Sequence, residues 1–119
     1  MAEHNDLGRW GEDVAAAYLQ QKGYTVVERD WKSGHRDLDI IALNEKRDTL
    51  VFVEVKARRN QLFTDPIDAV NYQKIHNLQL AANHYVKYHR IDLDIRFDII
   101  TVVGTPDTKP DVSHIEDAF

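Results

Sequence analysis

The sequence predicts an α/β domain with a mixed central β-sheet flanked by helices, in the order αβββαβ. Three observations lead there. A helical apolar repeat near the N-terminus is followed by three runs rich in β-branched and aromatic residues. A second long helical stretch precedes a fourth run of that kind. Three successive strands read as an antiparallel meander, and the helix before the fourth reads as a crossover connection. With 119 residues, the chain is expected to form one domain over 1–119.

The first helix is expected from an Asn5 or Asp6 cap to about Lys22, with Leu7, Trp10, Gly11, Val14 and Tyr18 on its buried face. Gly23 ends it, as a residue in the left-handed conformation does. Tyr24 to Trp31, Asp37 to Leu43 and Leu50 to Ala57 follow as strands. Asp65 and Pro66 signal the start of the second helix, which runs to about His89, with Ile67, Val70, Leu78, Ala81, Ala82 and Tyr85 mostly on one side. Arg96 to Val103 is the fourth strand, and residues 112–119 can add a short edge strand.

Composition narrows the classes of function. Hydrophobic residues at 43% and charged residues at 29% are an ordinary globular balance, so a packed core is expected. The absence of cysteine excludes disulfides, thiolate zinc sites and cysteine nucleophiles. No stretch approaches the ~20 apolar residues of a membrane span, and the polar first ten residues lack a signal peptide's core. A cytoplasmic protein without membrane association is therefore expected. A net charge of −5 argues against a generic nucleic-acid coat but leaves room for a nuclease with an acidic metal site.

The strand Leu50-Val51-Phe52-Val53-Glu54-Val55-Lys56 is nearly all apolar, yet two charges interrupt it. Side chains alternate along a strand, so Glu54 and Lys56 share a face, away from Val51, Val53 and Val55. In the preceding strand Asp37 and Asp39 share a face, opposite Leu38, Ile40 and Ala42. A hairpin centred on Lys46 and Arg47 sets Leu43 against Leu50, Asp39 against Glu54 and Asp37 against Lys56. Opposed residues lie about 5 Å apart, so this register gathers three carboxylates and an ammonium. Facing carboxylates repel each other, and one pKa rises unless a cation sits between them. Mg²⁺ (or Mn²⁺) suits such oxygen ligands and can polarise a phosphate and activate water. Lys56 can orient that water, act on its proton, or stabilise developing charge. The competing reading is a structural ion pair at a sheet end.

At these residues the chain resembles a known group. Asp39 followed by Glu54-Val55-Lys56 resembles the PD-(D/E)xK nuclease pattern. The chain as a whole more closely resembles the YraN-like family, bacterial proteins of uncharacterised function assigned to the restriction-endonuclease-like fold. The segments that carry this are Gly8 to Glu12, Gly23-Tyr24, Arg36 to Ala42, Leu50 to Arg58, Pro66 to Lys74, Arg96 to Asp98 and His114 to Phe119. The family usually has Gly-Glu where this chain has Arg36-Asp37.

The resemblance implies a restriction-endonuclease-like core, a metal held by Asp39, Glu54 and Val55, and Lys56 in the catalytic position. Glu12 is similar to the first-helix glutamate of archaeal Holliday-junction resolvases and can reach the metal. By resemblance the partner is DNA, branched or otherwise structured, and a homodimer would fit a two-fold junction.

Further candidates surround this block. Lys74 lies on the second helix's apolar stripe and can reach a phosphate or simply extend to solvent. Lys32, His35 and Arg36 before the acidic strand, and Arg58 and Arg59 after Lys56, fall at one end of the sheet. There they form either a rim for a nucleic-acid backbone or a solvated charge cluster. Trp31 and Phe63 can stack on bases, although core packing is the commoner fate. His84 and His89, five apart, do not share a helix face and read as surface residues. The rival overall reading is a non-catalytic nucleic-acid-binding or adaptor protein that retains the fold.

Overall fold

The computed structural model describes the backbone of residues 2–60 and 72–119 and the side chains of 6–60 and 72–119. Helix α1 (Ala2–Gln21) leads into strands β1 (Thr25–Ser33), β2 (Arg36–Leu43) and β3 (Thr49–Arg58). Helix α2 (Tyr72–Tyr88) then precedes β4 (Asp94–Val103) and β5 (Asp111–Ile115). The five strands form one mixed sheet in the order β1-β2-β3-β4-β5. β3 and β4 are parallel, and the other neighbours are antiparallel. The meander and the crossover are thus as expected, and the short final strand is the outer edge beside β4.

Helix α1 begins earlier than the expected cap, so Asn5 and Asp6 lie within it. It ends as expected. Gly23 is left-handed (φ 94°), its N–H bonds the Gln20 carbonyl at 3.0 Å, and the Tyr24 N–H bonds the Leu19 carbonyl at 2.9 Å. That pair closes the last turn of a helix. Helix α2 ends one residue short of His89. The Asp65-Pro66 start, with Phe63, Ile67 and Val70, lies outside the described residues.

Three layers result. Ala15, Ala16 and Leu19 of α1 pack with Ile40, Ala42, Val51, Val53, Ile100 and Val102 on one face of the sheet. Leu78, Ala81, Ala82 and Tyr85 of α2 pack with Leu38, Ile41, Leu50 and Phe52 on the other. Gly11 lets α1 approach closely, because a Cβ there would lie 2.6 Å from the Cβ of Ala57.

One expected regularity fails. Leu38 and Ile40 do not share a face: Leu38 packs toward α2 and Ile40 toward α1. The same switch occurs opposite them on β1. Arg29 bonds Glu12 and Asp13 of α1, whereas Trp31 meets Tyr85 of α2 edge-on at a ring separation of 5.2 Å. The ladder pairs Arg29 with Ile40 and Trp31 with Leu38. Asp30 between them is left-handed (φ 52°), a conformation that Asp tolerates at a cost of about 1 kcal/mol. Across Asp30 and Asp39 the side chains of both strands change faces. Trp31 is half-buried and packs against the α2-side core.

Candidate active site

The register that gathers the charges begins as the sequence dictates. Leu43 pairs with Leu50, Ala42 with Val51, Ile41 with Phe52 and Ile40 with Val53. The β2–β3 ladder stops there, and Asp39 takes over with its side chain. Its Oδ2 accepts the Val55 N–H at 3.0 Å. A carboxyl side chain so fills the opening where two strands part, within reach of Glu54 and of Glu12.

Glu54 is 5% exposed and faces α2, as the alternation of β3 requires. Its Oε2 lies 2.8 Å from the Lys74 Nζ and 3.5 Å from the Lys56 Nζ. Asp39 is pushed up to about 8, first by burial and then by its hydrogen bond to Glu54 and that group's charge. Burial also opposes ionisation of Glu54, but the hydrogen bond from Asp39 and the ammonium groups of Lys74 and Lys56 outweigh it and hold Glu54 below its usual value. At neutral pH one proton therefore sits between the two acids, on Asp39. Burial and the neighbouring Lys74 push Lys56 down, against the attraction of Glu54.

A second group of acids meets Asp39 from the α1 side. Carboxylate oxygens of Glu12, Asp30 and Asp39 lie within 4.8 Å of one another. Glu12 is raised by burial and by Asp30, with Arg29 opposing. The Arg29 Nε donates to Glu12 at 3.1 Å and its guanidinium to Asp13 at 2.6 Å, which fixes Glu12 toward the cluster. Glu12, a single candidate in the sequence, stands beside Asp39 because Gly11 seats its helix against β3.

Asp37 requires a correction. It does not oppose Lys56 but faces solvent and pairs with Lys32 across the β1–β2 ladder at 3.1 Å. Beyond Ile40 the strands are no longer laddered, so the extrapolated register does not carry to Asp37 and Lys56. Of the expected rim, Lys32 is held by Asp37, Arg58 bonds the Ala57 carbonyl, and the buried Nε of Arg36 has no hydrogen-bond acceptor among the described residues. Arg36 lines a cleft of about 550 Å³ together with Asp37, Asp39, Glu54, Lys74 and Asn77. Arg59 is exposed next to Arg58.

The strand β4 carries a charge that sequence reasoning passed over. Asp98 is fully buried. Arg96 grips it with two bonds of 2.9 Å, His114 of β5 donates from Nε2 at 2.7 Å, and the Asp117 N–H donates at 3.0 Å. Arg96 also donates to the Tyr24 hydroxyl at 2.7 Å. His114 is 3% exposed, so it is not a surface histidine. This network clamps β5 and the chain end to the sheet. The signal was the one used for Glu54, an acid inside an apolar strand. Asp30 gave no such signal, since it lies outside any apolar run.

A family model described as "Uncharacterised protein family UPF0102" matches residues 11–102. The chain is 48% identical over 119 residues to a UPF0102 protein of Bacteroides thetaiotaomicron, covering all of this chain and 96% of the relative. The chain belongs to the UPF0102 family. A UPF0102 protein of Flavobacterium psychrophilum is 46% identical over all of this chain and 98% of its own length. One from Porphyromonas gingivalis is 42% identical over all of this chain and 87% of its own. The match bears out the YraN-like resemblance. The UPF0102 segment contains Glu12, Asp30, Asp39, Glu54, Lys56, Lys74 and Asp98, and leaves His114 outside. No helix among the described residues of this UPF0102 chain is long and apolar enough to cross a membrane.

Proposed function

We propose that this UPF0102 chain is a metal-dependent phosphodiester hydrolase acting on DNA, with a restriction-endonuclease-like PD-(D/E)xK core. The observation that carries the reading is the buried Glu54 next to Asp39 at the wall of a cleft, with the Lys56 ammonium 3.5 Å from Glu54. Two acids in one buried place are costly unless a cation compensates them. The donors are all hard oxygens, so Mg²⁺ or Mn²⁺ fits better than a soft metal.

Asp39, Glu54 and the Val55 carbonyl would hold the ion, with Glu12 and Asp30 as further oxygen donors, directly or through water. The ion supplies a Lewis acid at the phosphate and lowers the pKa of water. As a ligand Asp39 would have to be ionised, its proton released to water. Lys56, already pushed below the ordinary lysine range, either holds the attacking water or stabilises the charge on the phosphorane-like transition state. Arg36, Lys32, Arg58 and Arg59 receive flanking phosphates. Branched or otherwise structured DNA is the favoured substrate, and a homodimer would match a two-fold junction.

The test is Mg²⁺-dependent cleavage of duplex, single-stranded and four-way-junction DNA. The wild-type protein should cut at least one of them. Asp39→Asn and Glu54→Gln should abolish cutting while circular dichroism shows both folded. Normal cutting by both variants would overturn the site assignment.

A further inference from the structure

The cleft beside the acid pair reaches well beyond the space a metal and one phosphate need. It lies between the start of β2 and the first turns of α2, and its volume of about 550 Å³ suits a ligand of small-molecule size. One wall is the Asp39–Glu54 pair. The α2 wall carries Lys74, whose ammonium is turned to Glu54, and two carboxamides: Gln73 and Asn77 stand one helical turn apart, and their mutual contact is a long 3.4 Å. Leu78 supplies an apolar patch, and Arg36 brings a buried Nε–H that has no acceptor among the described residues. A buried donor without an acceptor is uncommon, and an ordered water or a ligand oxygen can satisfy it.

These groups match the parts of a nucleotide. A guanidinium takes a phosphate oxygen, an apolar surface takes a sugar or base face, and carboxamides offer a donor and an acceptor each to a base edge. A stacked and paired base cannot present that edge inside a pocket. It must leave the helix or be unpaired from the start, which costs least at a single-stranded or branched position.

We infer that the cleft is a subsite for one unpaired nucleotide next to the scissile phosphate, with Arg36 on its phosphate and Gln73 and Asn77 on its base. This deepens the proposed hydrolase and rests on it for the position of the phosphate. The subsite explains why a chain of net charge −5 can engage DNA at one point without coating it. It also narrows the substrate class to DNA with unpaired nucleotides, such as flaps, frayed ends or open junction centres.

The experiment measures binding of fluorescent oligonucleotides by anisotropy in Ca²⁺. A blunt duplex is compared with the same duplex carrying a short single-stranded flap, for wild type, Asn77→Leu and Gln73→Leu. Both substitutions lie on the helix surface away from the core cluster, and a thermal melt checks folding. Wild type should prefer the flap by about tenfold, the order expected of one good base contact. The leucine variants should bring the ratio to about one. A wild type without preference, or variants that retain it, would overturn the inference. Cleavage by the wild type in Mg²⁺, run alongside, separates the two ideas: a flap preference in a wild-type chain that cuts none of the DNAs keeps the subsite and removes the hydrolase.

Discussion

Replacing Asp39 with Asn should strengthen the fold and weaken metal binding at once. In the metal-free protein Asp39 is pushed up to about 8 from an ordinary value of 3.8. The unfolded carboxyl is ionised at pH 7 and must take up a proton to fold. At about 1.4 kcal/mol per pKa unit this costs at most about 4 kcal/mol at pH 7. An amide needs no proton. It can still accept the Val55 N–H and donate to Glu54, although with a weaker bond than the shared proton makes. Setting that loss against the saving leaves a gain of about 2 kcal/mol near neutrality. The sign follows the raised pKa: the folded protein binds more protons than the unfolded chain between about pH 4 and 8. Wild-type stability falls as pH rises through that window, and the variant escapes the fall. Urea denaturation in EDTA at pH 5 and pH 8 measures the difference, which should widen with pH. Adding Mn²⁺ at about a hundred times its Kd should stabilise wild type by about 2.7 kcal/mol and the variant far less. If Asp39→Asn loses stability equally at both pH values, Asp39 is an ordinary ionised partner and the reasoning fails.

Asp98→Asn should destabilise the protein by about 3 kcal/mol, read in thermal melts, because it weakens a carboxylate fully buried among Arg96, His114 and the Asp117 N–H. Burial opposes ionisation of Asp98 but these partners outweigh it and hold its pKa low, so its contribution is present above pH 4 and is lost as pH falls through its folded value. Gly11→Ala should cost about 2 kcal/mol in urea unfolding, since the new methyl meets Ala57 at 2.6 Å. It should also loosen Mn²⁺ binding in calorimetry by lifting Glu12 from Asp39. Lys56→Gln should lower kcat by about a hundredfold or more with Mn²⁺ affinity nearly unchanged, measured by cleavage kinetics and calorimetry.

Local patterning was enough for much of this protein. The order of elements, the glycine that ends α1 and the register from Leu43–Leu50 to Ile40–Val53 follow from periodicity, turn residues and the requirement that apolar faces meet. Glu54 was legible because a charge in an apolar strand demands a partner, and Asp98 would have been legible by the same rule. Alternation along a strand, however, holds only while the ladder is regular. Across Asp30, which is left-handed, and Asp39 the two strands change faces, Asp37 is exposed and bonds Lys32, and Asp39 accepts the Val55 N–H. Nothing local to Lys74 or Glu12 says what each will touch. Those meetings depend on where two helices land on opposite faces of the sheet, and long-range packing sets that: Gly11 against Ala57 on one side and Leu78 against the Leu38 and Phe52 layer on the other. Chain neighbours determined which residues form each strand, and contacts between distant segments decided which acids share a proton.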